Sequence, residues 1–262
     1  MKGPRETWRF IDDGARRGKV NMARDEALAL CAGPASTPTL RVYRFDPAAV
    51  TLGRSQPLPG LIDLGACRSR GVELVKRPTG GLAILHLDDF TYSFTAGTEP
   101  SPWVRESVFQ TVASGLTEAL RLMGIGCRTV SHPASARPDA TWCLEGGYGV
   151  DLECAGGKIC GSAQRLYRRS VLQHGSLFLI DRGDVLEELT GPGSLAGYGR
   201  PASLFGQLSR TVSWEEVRDA FKQGFAAALG IELSEDRLGE EEERVSEGLL
   251  RDRYGAPGWS WP

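Results

Sequence analysis

The sequence predicts a mixed α/β fold, on three observations. Short runs that alternate apolar and polar residues, rich in Val, Phe, Tyr and Thr, recur through the chain, as half-buried strands require. Two segments, 107–123 and 214–229, repeat apolar residues at three- and four-residue intervals, the period of a helix packed on one face. No internal repeat and no long linker interrupts this order. One domain over residues 1–262 is therefore expected, with a helical C-terminal tail from about 240 to 262.

Taken in order, 8–14 reads as an opening strand and turn, and 21–30 as an amphipathic helix with Asn21 as its N-cap. Segments 39–45, 50–54 and 72–77 alternate in character and are expected as strands of one sheet. Helix 107–123, with Val108, Val112, Leu116, Leu120 and Met123 on one face and Gly124 and Gly126 at its end, should pack on that sheet. The Pro-, Ala- and Ser-rich stretch 131–140 reads as a surface loop. Strands follow at 150–153 and 170–180, the second apolar enough for an interior position. Val217, Phe221 and Phe225 mark the apolar face of the 214–229 helix, and a polar helix is expected at 240–254.

Composition narrows the function. Of 262 residues, 41% are hydrophobic and 24% charged, and the formal net charge is −2, so no field of one sign favours nucleic acid or an anionic membrane. No run approaches the roughly 20 apolar residues of a membrane span, and residues 1–8 lack the apolar region of a signal peptide. A cytoplasmic protein is expected. The six cysteines, at 31, 67, 127, 143, 154 and 160, should then be reduced thiols. The three histidines, at 86, 132 and 174, have no ligand spacing, so no metal site is expected. His132, before Pro133, reads as a solvated loop residue.

Chemistry concentrates in two strings. Arg77-Pro78-Thr79-Gly80-Gly81 follows a strand, where paired glycines let backbone approach a ligand, and it runs on to His86 and Tyr92-Ser93-Phe94. A hairpin turn would use the same residues. The second string, Lys158-Ile159-Cys160-Gly161-Ser162-Ala163-Gln164, places one lysine before small residues, so its ammonium can reach a pocket floored by backbone. Gln173-His174-Gly175 lies shortly after it, and Cys143 precedes Lys158 by fifteen residues.

These strings resemble the signature segments of the family of lipoate-protein ligases, octanoyltransferases and biotin ligases: R-x-T-G-G-G-x-x-x-H with Y-S, the lysine string, and Q-H-G. Arg253-Tyr254-Gly255 and Trp259 resemble its K-Y-G-S-x-x-W tail, so the likeness spans nearly the whole chain. It implies the biotin/lipoate transferase fold, a mixed sheet flanked by helices, related to class II aminoacyl-tRNA synthetase and biotin ligase catalytic domains. It also implies that Arg77, Thr79, Gly80, Gly81, His86, Gly161, Ser162, Ala163 and His174 bind substrate, while Lys158 contacts the acyl carbonyl and the oxyanion that develops there. His86 and His174 are expected chiefly as hydrogen-bonded pocket residues.

The position of Cys143 is similar to that of the nucleophilic thiol in octanoyltransferases of the LipM type, with Cys154 and Cys160 as rival thiols. The LipB type carries its thiol after the lysine string, where this chain has none beyond Cys160. The reaction so implied moves octanoyl from acyl carrier protein to Cys143 and then to a lysine of a lipoyl domain or of glycine cleavage H protein, with no cofactor. Two alternatives stay open: a lipoate-protein ligase using ATP and magnesium, and a non-catalytic subunit that binds lipoyl domains. Leu82 stands where relatives often carry Gly, Arg or Lys, which argues against a phosphate cradle. With Ala83, Ile84 and Leu85 it is expected to close an apolar pocket, Leu82 facing either the acyl tail or the mouth where ligases hold adenylate.

Overall fold

The protein is described here from a computed structural model covering residues 5–58, 60, 62–98, 105–132, 142–143, 149–191 and 201–261. Strand β1 (Thr7–Arg16) leads into helix α1 (Gly18–Cys31), followed by β2 (Thr39–Phe45) and β3 (Ala49–Leu52). A short α2 (Leu64–Ser69), capped by the Asp63 carboxylate, precedes β4 (Glu73–Lys76), β5 (Ile84–His86) and β6 (Asp89–Gly97). Helix α3 (Arg105–Leu122) then leads to four strands: β7 (Cys127–His132), β8 (Gly149–Cys154), β9 (Gly157–Leu166) and β10 (Ser170–Phe178). The chain closes with α4 (Gly183–Thr190), α5 (Leu204–Leu208), α6 (Trp214–Leu229), β11 (Glu232–Glu235), α7 (Glu240–Leu249), a π-helical turn (Leu250–Tyr254) and β12 (Ser260–Trp261). The expected loop falls largely on 133–140, outside the described residues; His132 is the last residue of β7 and not part of a loop.

Two mixed sheets result. The larger runs β11-β1-β2-β6-β10-β9-β8-β7, with β1 parallel to both neighbours and the remaining pairs antiparallel. The smaller runs β12-β4-β3-β5. The expectation that 39–45, 50–54 and 72–77 share one sheet is thus corrected. Both edges of β2 are taken, by β1 and β6, so β3 has no free ladder there and pairs instead with β4 and β5.

Alternation along the strands sorts side chains between two environments. Phe90, Tyr92 and Phe94 of β6, with Val171 and Leu177 of β10, face a core closed by α3 and α6. These helices cross closely because a side chain at Gly224 would collide with the Ala119 backbone, and one at Gly115 with the Phe225 ring. A separate apolar cluster, including Val50, Leu74, Leu85 and Leu186, sits beneath the small sheet.

Helix α1 departs from the amphipathic expectation. It is buried on most sides, and Asn21 lies inside it rather than capping it. The Asn21 amide donates to the carbonyls of Arg16 and Arg44 and accepts from Arg41 Nη2 at 2.8 Å. Its buried polar residues belong to an ion network, which a sequence pattern cannot tell from a solvated face. The tail also differs from a purely helical one. After the π-helical turn, closed by Gly255 N–H on Leu250 O at 2.8 Å, the chain returns as β12 against β4.

Candidate active site

The other residues of the alternating strands open onto a cleft between the two sheets, with roughly 540 Å³ of empty space including its mouth. The large sheet contributes Thr91, Gly161, Ser162, Ala163, His174 and Ser176, and the small sheet Thr51, Ile84 and His86. Met22, Tyr43 and Phe45 form an apolar wall that the sequence motifs did not indicate.

Cys143 reaches this cleft on a short anchored strap. The buried ring of Trp142 packs into the small-sheet core, and Cys143 N–H donates to Ala83 O at 2.8 Å. Half-buried Cys143 then presents its Sγ 3.2 Å from Lys158 Nζ. The three ammonium donors of Lys158 are all engaged, by Cys143 Sγ, by Cys143 O at 2.9 Å and by Asp151 Oδ2 at 2.7 Å. Burial works against this charge, but Cys143 and Asp151 outweigh it and hold the ammonium above its usual range. Gly161 is small for a reason visible here: a methyl group on it would lie 3.2 Å from Cys143 Sγ and 3.0 Å from Lys158 Cε. The rival thiols fit less well. Cys160 is buried, which pushes its thiol well up, and burial also raises Cys154 at the end of β8.

Arg77 lies in the cleft wall with its guanidinium turned back onto its own loop. Nε donates to Gly80 O at 3.1 Å, Nη2 to Gly80 O at 2.7 Å and Leu82 O at 2.8 Å, and Nη1 to Thr51 O at 3.1 Å and Oγ1 at 3.5 Å. Five donor contacts thus fall on four acceptors, since Gly80 O takes two of them, and the guanidinium is engaged at all three nitrogens. Gly81, at φ +91°, lets the loop turn against this side chain. Arg77, expected to bind substrate, here ties residues 80–82 to Thr51 from the wall of the cleft.

Two parallel relays back the cleft. In one, Arg41 donates to Asp25 Oδ1 at 2.7 Å, Asp25 Oδ2 lies 2.9 Å from His174 Nδ1, and His174 Nε2 lies 2.7 Å from Thr79 Oγ1. In the other, Arg182 pairs with Asp89, whose Oδ2 lies 3.1 Å from His86 Nδ1, and His86 Nε2 lies 2.9 Å from Thr51 Oγ1. Burial opposes each carboxylate, yet Arg41 holds Asp25 and Arg182 holds Asp89 below the usual range. An ionised acceptor places a proton on Nδ1 of each ring. Burial lowers His86, with Arg182 and Arg77 adding and Asp89 opposing, so that ring is neutral at pH 7. Both histidines are thereby committed to structure at both nitrogens.

Of the expected substrate-binding residues, Arg77, Gly81, His86, Gly161, Ser162, Ala163 and His174 line the cleft beside Cys143. Thr79 and Gly80 support it from behind, as does Lys158. Ser162 is held by Tyr92, their hydroxyls 2.6 Å apart; a methyl group on Gly175 would strike this pair, which accounts for the glycine of the Gln173-His174-Gly175 string. The expectation for 82–85 is half corrected. Leu82 and Ile84 line the cleft, whereas Ala83 and Leu85 point into the small-sheet core, as strand alternation requires.

Comparison with known proteins identifies the family. Residues 17–226 match the model of the lipoyl protein ligase A/B catalytic domain. Octanoyltransferase LipM of Symbiobacterium thermophilum is 35% identical over 97% of this chain and 97% of its own. Among solved structures, a lipoate-protein ligase A bound with ATP superposes with a TM-score of 0.82 at 25% identity, covering 97% of this chain and 98% of that one. A bipartite lipoate protein ligase from Thermoplasma acidophilum, described with its E2 lipoyl domain, gives a TM-score of 0.79 at 25% identity, covering 97% and 95%. Fold, cleft and full-length likeness together place the chain in the lipoyl protein ligase A/B catalytic domain family, among the LipM-type octanoyltransferases.

Proposed function

We propose that the protein is an octanoyltransferase of protein lipoylation. It takes an octanoyl group from the thioester of acyl carrier protein onto Cys143 and passes it to a lysine of a lipoyl domain or of glycine cleavage H protein. The observation that carries this reading is the 3.2 Å approach of Lys158 Nζ to Cys143 Sγ at the wall of an apolar cleft.

In the first step the Cys143 thiolate attacks the donor carbonyl, an S–C bond forms, and the collapsing tetrahedral intermediate expels the carrier thiolate. In the second, the neutral amine of the acceptor lysine attacks the enzyme thioester. An N–C bond forms, the Cys143 thiolate leaves, and the proton lost by the amine passes to solvent. Exchange between thioesters is nearly isoenergetic and aminolysis is downhill, so neither step needs ATP. Lys158 serves both. The N–H that faces the sulfur in the free enzyme is released once the sulfur is acylated, and it is then available to the oxyanion. The lipoyl domain described with the Thermoplasma relative supports that class of acceptor.

Incubation with octanoyl-acyl carrier protein and apo-acceptor, without ATP, tests this. The intact mass should rise by one octanoyl group, and Cys143→Ala should lose both this adduct and the transfer. Full ATP-free transfer by Cys143→Ala would sink the thiol mechanism. Transfer that appears only with ATP would make the protein a ligase.

A further inference from the structure

Regular alternation along β9 would turn Lys158 away from the cleft. Gly161 turns its open side to Cys143 Sγ, so an unbroken strand would put Lys158 on the opposite face, with Cys160 in the core of the large sheet. A β-bulge changes this. Leu152 of β8 stands opposite Cys160 and Glu153 opposite Lys158, so one step on β8 spans two on β9 and Ile159 is the extra residue. Ile159 and Cys160 both pack into the core, which leaves Lys158 on the cleft side with Gly161. Ala202 N–H donates to Lys158 O at 2.9 Å and so satisfies this carbonyl beside the bulge.

Asp151 reaches the same side by ordinary alternation, since its neighbour Leu152 belongs to the core. The two side chains meet there, nearly buried, with Oδ2 2.7 Å from Nζ. A lysine carries its ammonium on a flexible stem, and its three N–H groups rotate together, so reach alone does not aim a donor. Two fixed acceptors do. With one N–H on Asp151 Oδ2 and another on Cys143 O, the third takes the remaining tetrahedral direction, which in the free enzyme meets Cys143 Sγ at 3.2 Å.

We propose that Asp151 is a positioning residue for acyl transfer: with the bulge at Ile159, it aims the third Lys158 N–H at the oxyanion that forms beside Cys143, acting through the ammonium. This deepens the transferase reading and rests on Cys143 being the nucleophile. Without Asp151, Lys158 keeps Cys143 O as an anchor and swings about it. A misplacement of about 1 Å costs about 10²-fold in rate.

The test is single-turnover acylation of Cys143 in the full chain by octanoyl-acyl carrier protein, followed by intact mass over a range of donor concentrations. Asp151→Ala should lower the rate at saturating donor about 10²-fold and leave the half-saturating concentration within about twofold. Asp151→Asn, which keeps an acceptor oxygen at the same reach, should recover most of that loss. A double-mutant cycle with Lys158→Met decides whether the effect passes through the ammonium. If it does, Asp151→Ala should slow the Lys158→Met enzyme by no more than about twofold. Losses that multiply in the double variant overturn the proposal, as does an unchanged rate in Asp151→Ala or a loss that Asp151→Asn does not relieve. Should Asp151→Ala fail to fold, Asp151→Glu replaces it: the longer arm displaces Nζ, so the saturated rate should fall only where Lys158 is present. Equal losses with and without Lys158, or none, overturn the proposal. A parent enzyme that takes up no octanoyl ends the transferase reading and this assignment with it, whereas a parent that is acylated but gives an additive cycle ends the assignment alone.

Discussion

At the scale of single residues, the three engaged donors of Lys158 change what its removal should do. Loss of an oxyanion donor costs about 10²–10³ in rate. Lys158→Ala would also take the ammonium away from the nearly buried Asp151 carboxylate, and breaking a buried ion pair by removing one side costs about 3–5 kcal/mol. Activity and melting temperature should therefore fall together in the single variant. In Lys158→Ala/Asp151→Asn the melting temperature should recover while the rate does not. Recovery of both would show that the lysine serves only to neutralise its partner. The sequence made Lys158 legible through the small residues that follow it, and Cys143 through its fifteen-residue spacing from that string and the resemblance of both to a known family. Asp151 carried no such signal, since nothing in a linear string says that a strand carboxylate turns toward an ammonium seven residues on. Arg77 was legible as a site residue but not in its role, because whether a guanidinium faces a ligand or its own loop depends on the fold of the loop.

At the scale of elements, local periodicity was a good guide and pairing was not. The 214–229 segment forms a helix with those same ends, because its repeat depends only on near neighbours. Which sheet a strand joins depends on which edges are free, and β3 was displaced from β2 in part by β6, whose Thr95 pairs with Thr39 from far along the chain. Alternation within 82–86 yields a direct test. Leu82 and Ile84 line the cleft while Ala83 and Leu85 do not. A methylene buried in such a wall contributes about 0.8 kcal/mol, close to fourfold per carbon. Leu82→Gly should shift preference among hexanoyl, octanoyl and decanoyl donors toward the longest, read as relative kcat/KM. An unchanged profile would remove Leu82 from the wall that measures the acyl chain.

At the scale of the whole molecule, the relays that back the cleft also join the sheets. His86, on the small sheet, is bound to Asp89 and Ser176 on the large one and stacks on Phe45, with ring centroids 3.9 Å apart. Because folding holds His86 below its ordinary value, the unfolded chain binds its proton first, near pH 6.5. Stability from this contact is complete above that pH and is lost as pH falls toward the folded value. Denaturant midpoints should thus drop between pH 7.5 and 5.5, and His86→Gln should flatten the decline; equal declines in both proteins would deny His86 this part. Among the described residues, no helix is long and apolar enough to cross a membrane. The C-terminal segment completes the assembly. Tyr254 donates its hydroxyl to buried Glu26 Oε2 at 2.7 Å across 228 residues of sequence, and β12 pairs with β4, the strand that leads into Arg77. During synthesis on the ribosome, Cys143 and Lys158 must therefore emerge long before the segment that braces the Arg77 strand. A nascent chain paused short of residue 250 would carry Cys143 and Lys158 while β4 still lacked its β12 neighbour, so this edge of the small sheet is the last to close.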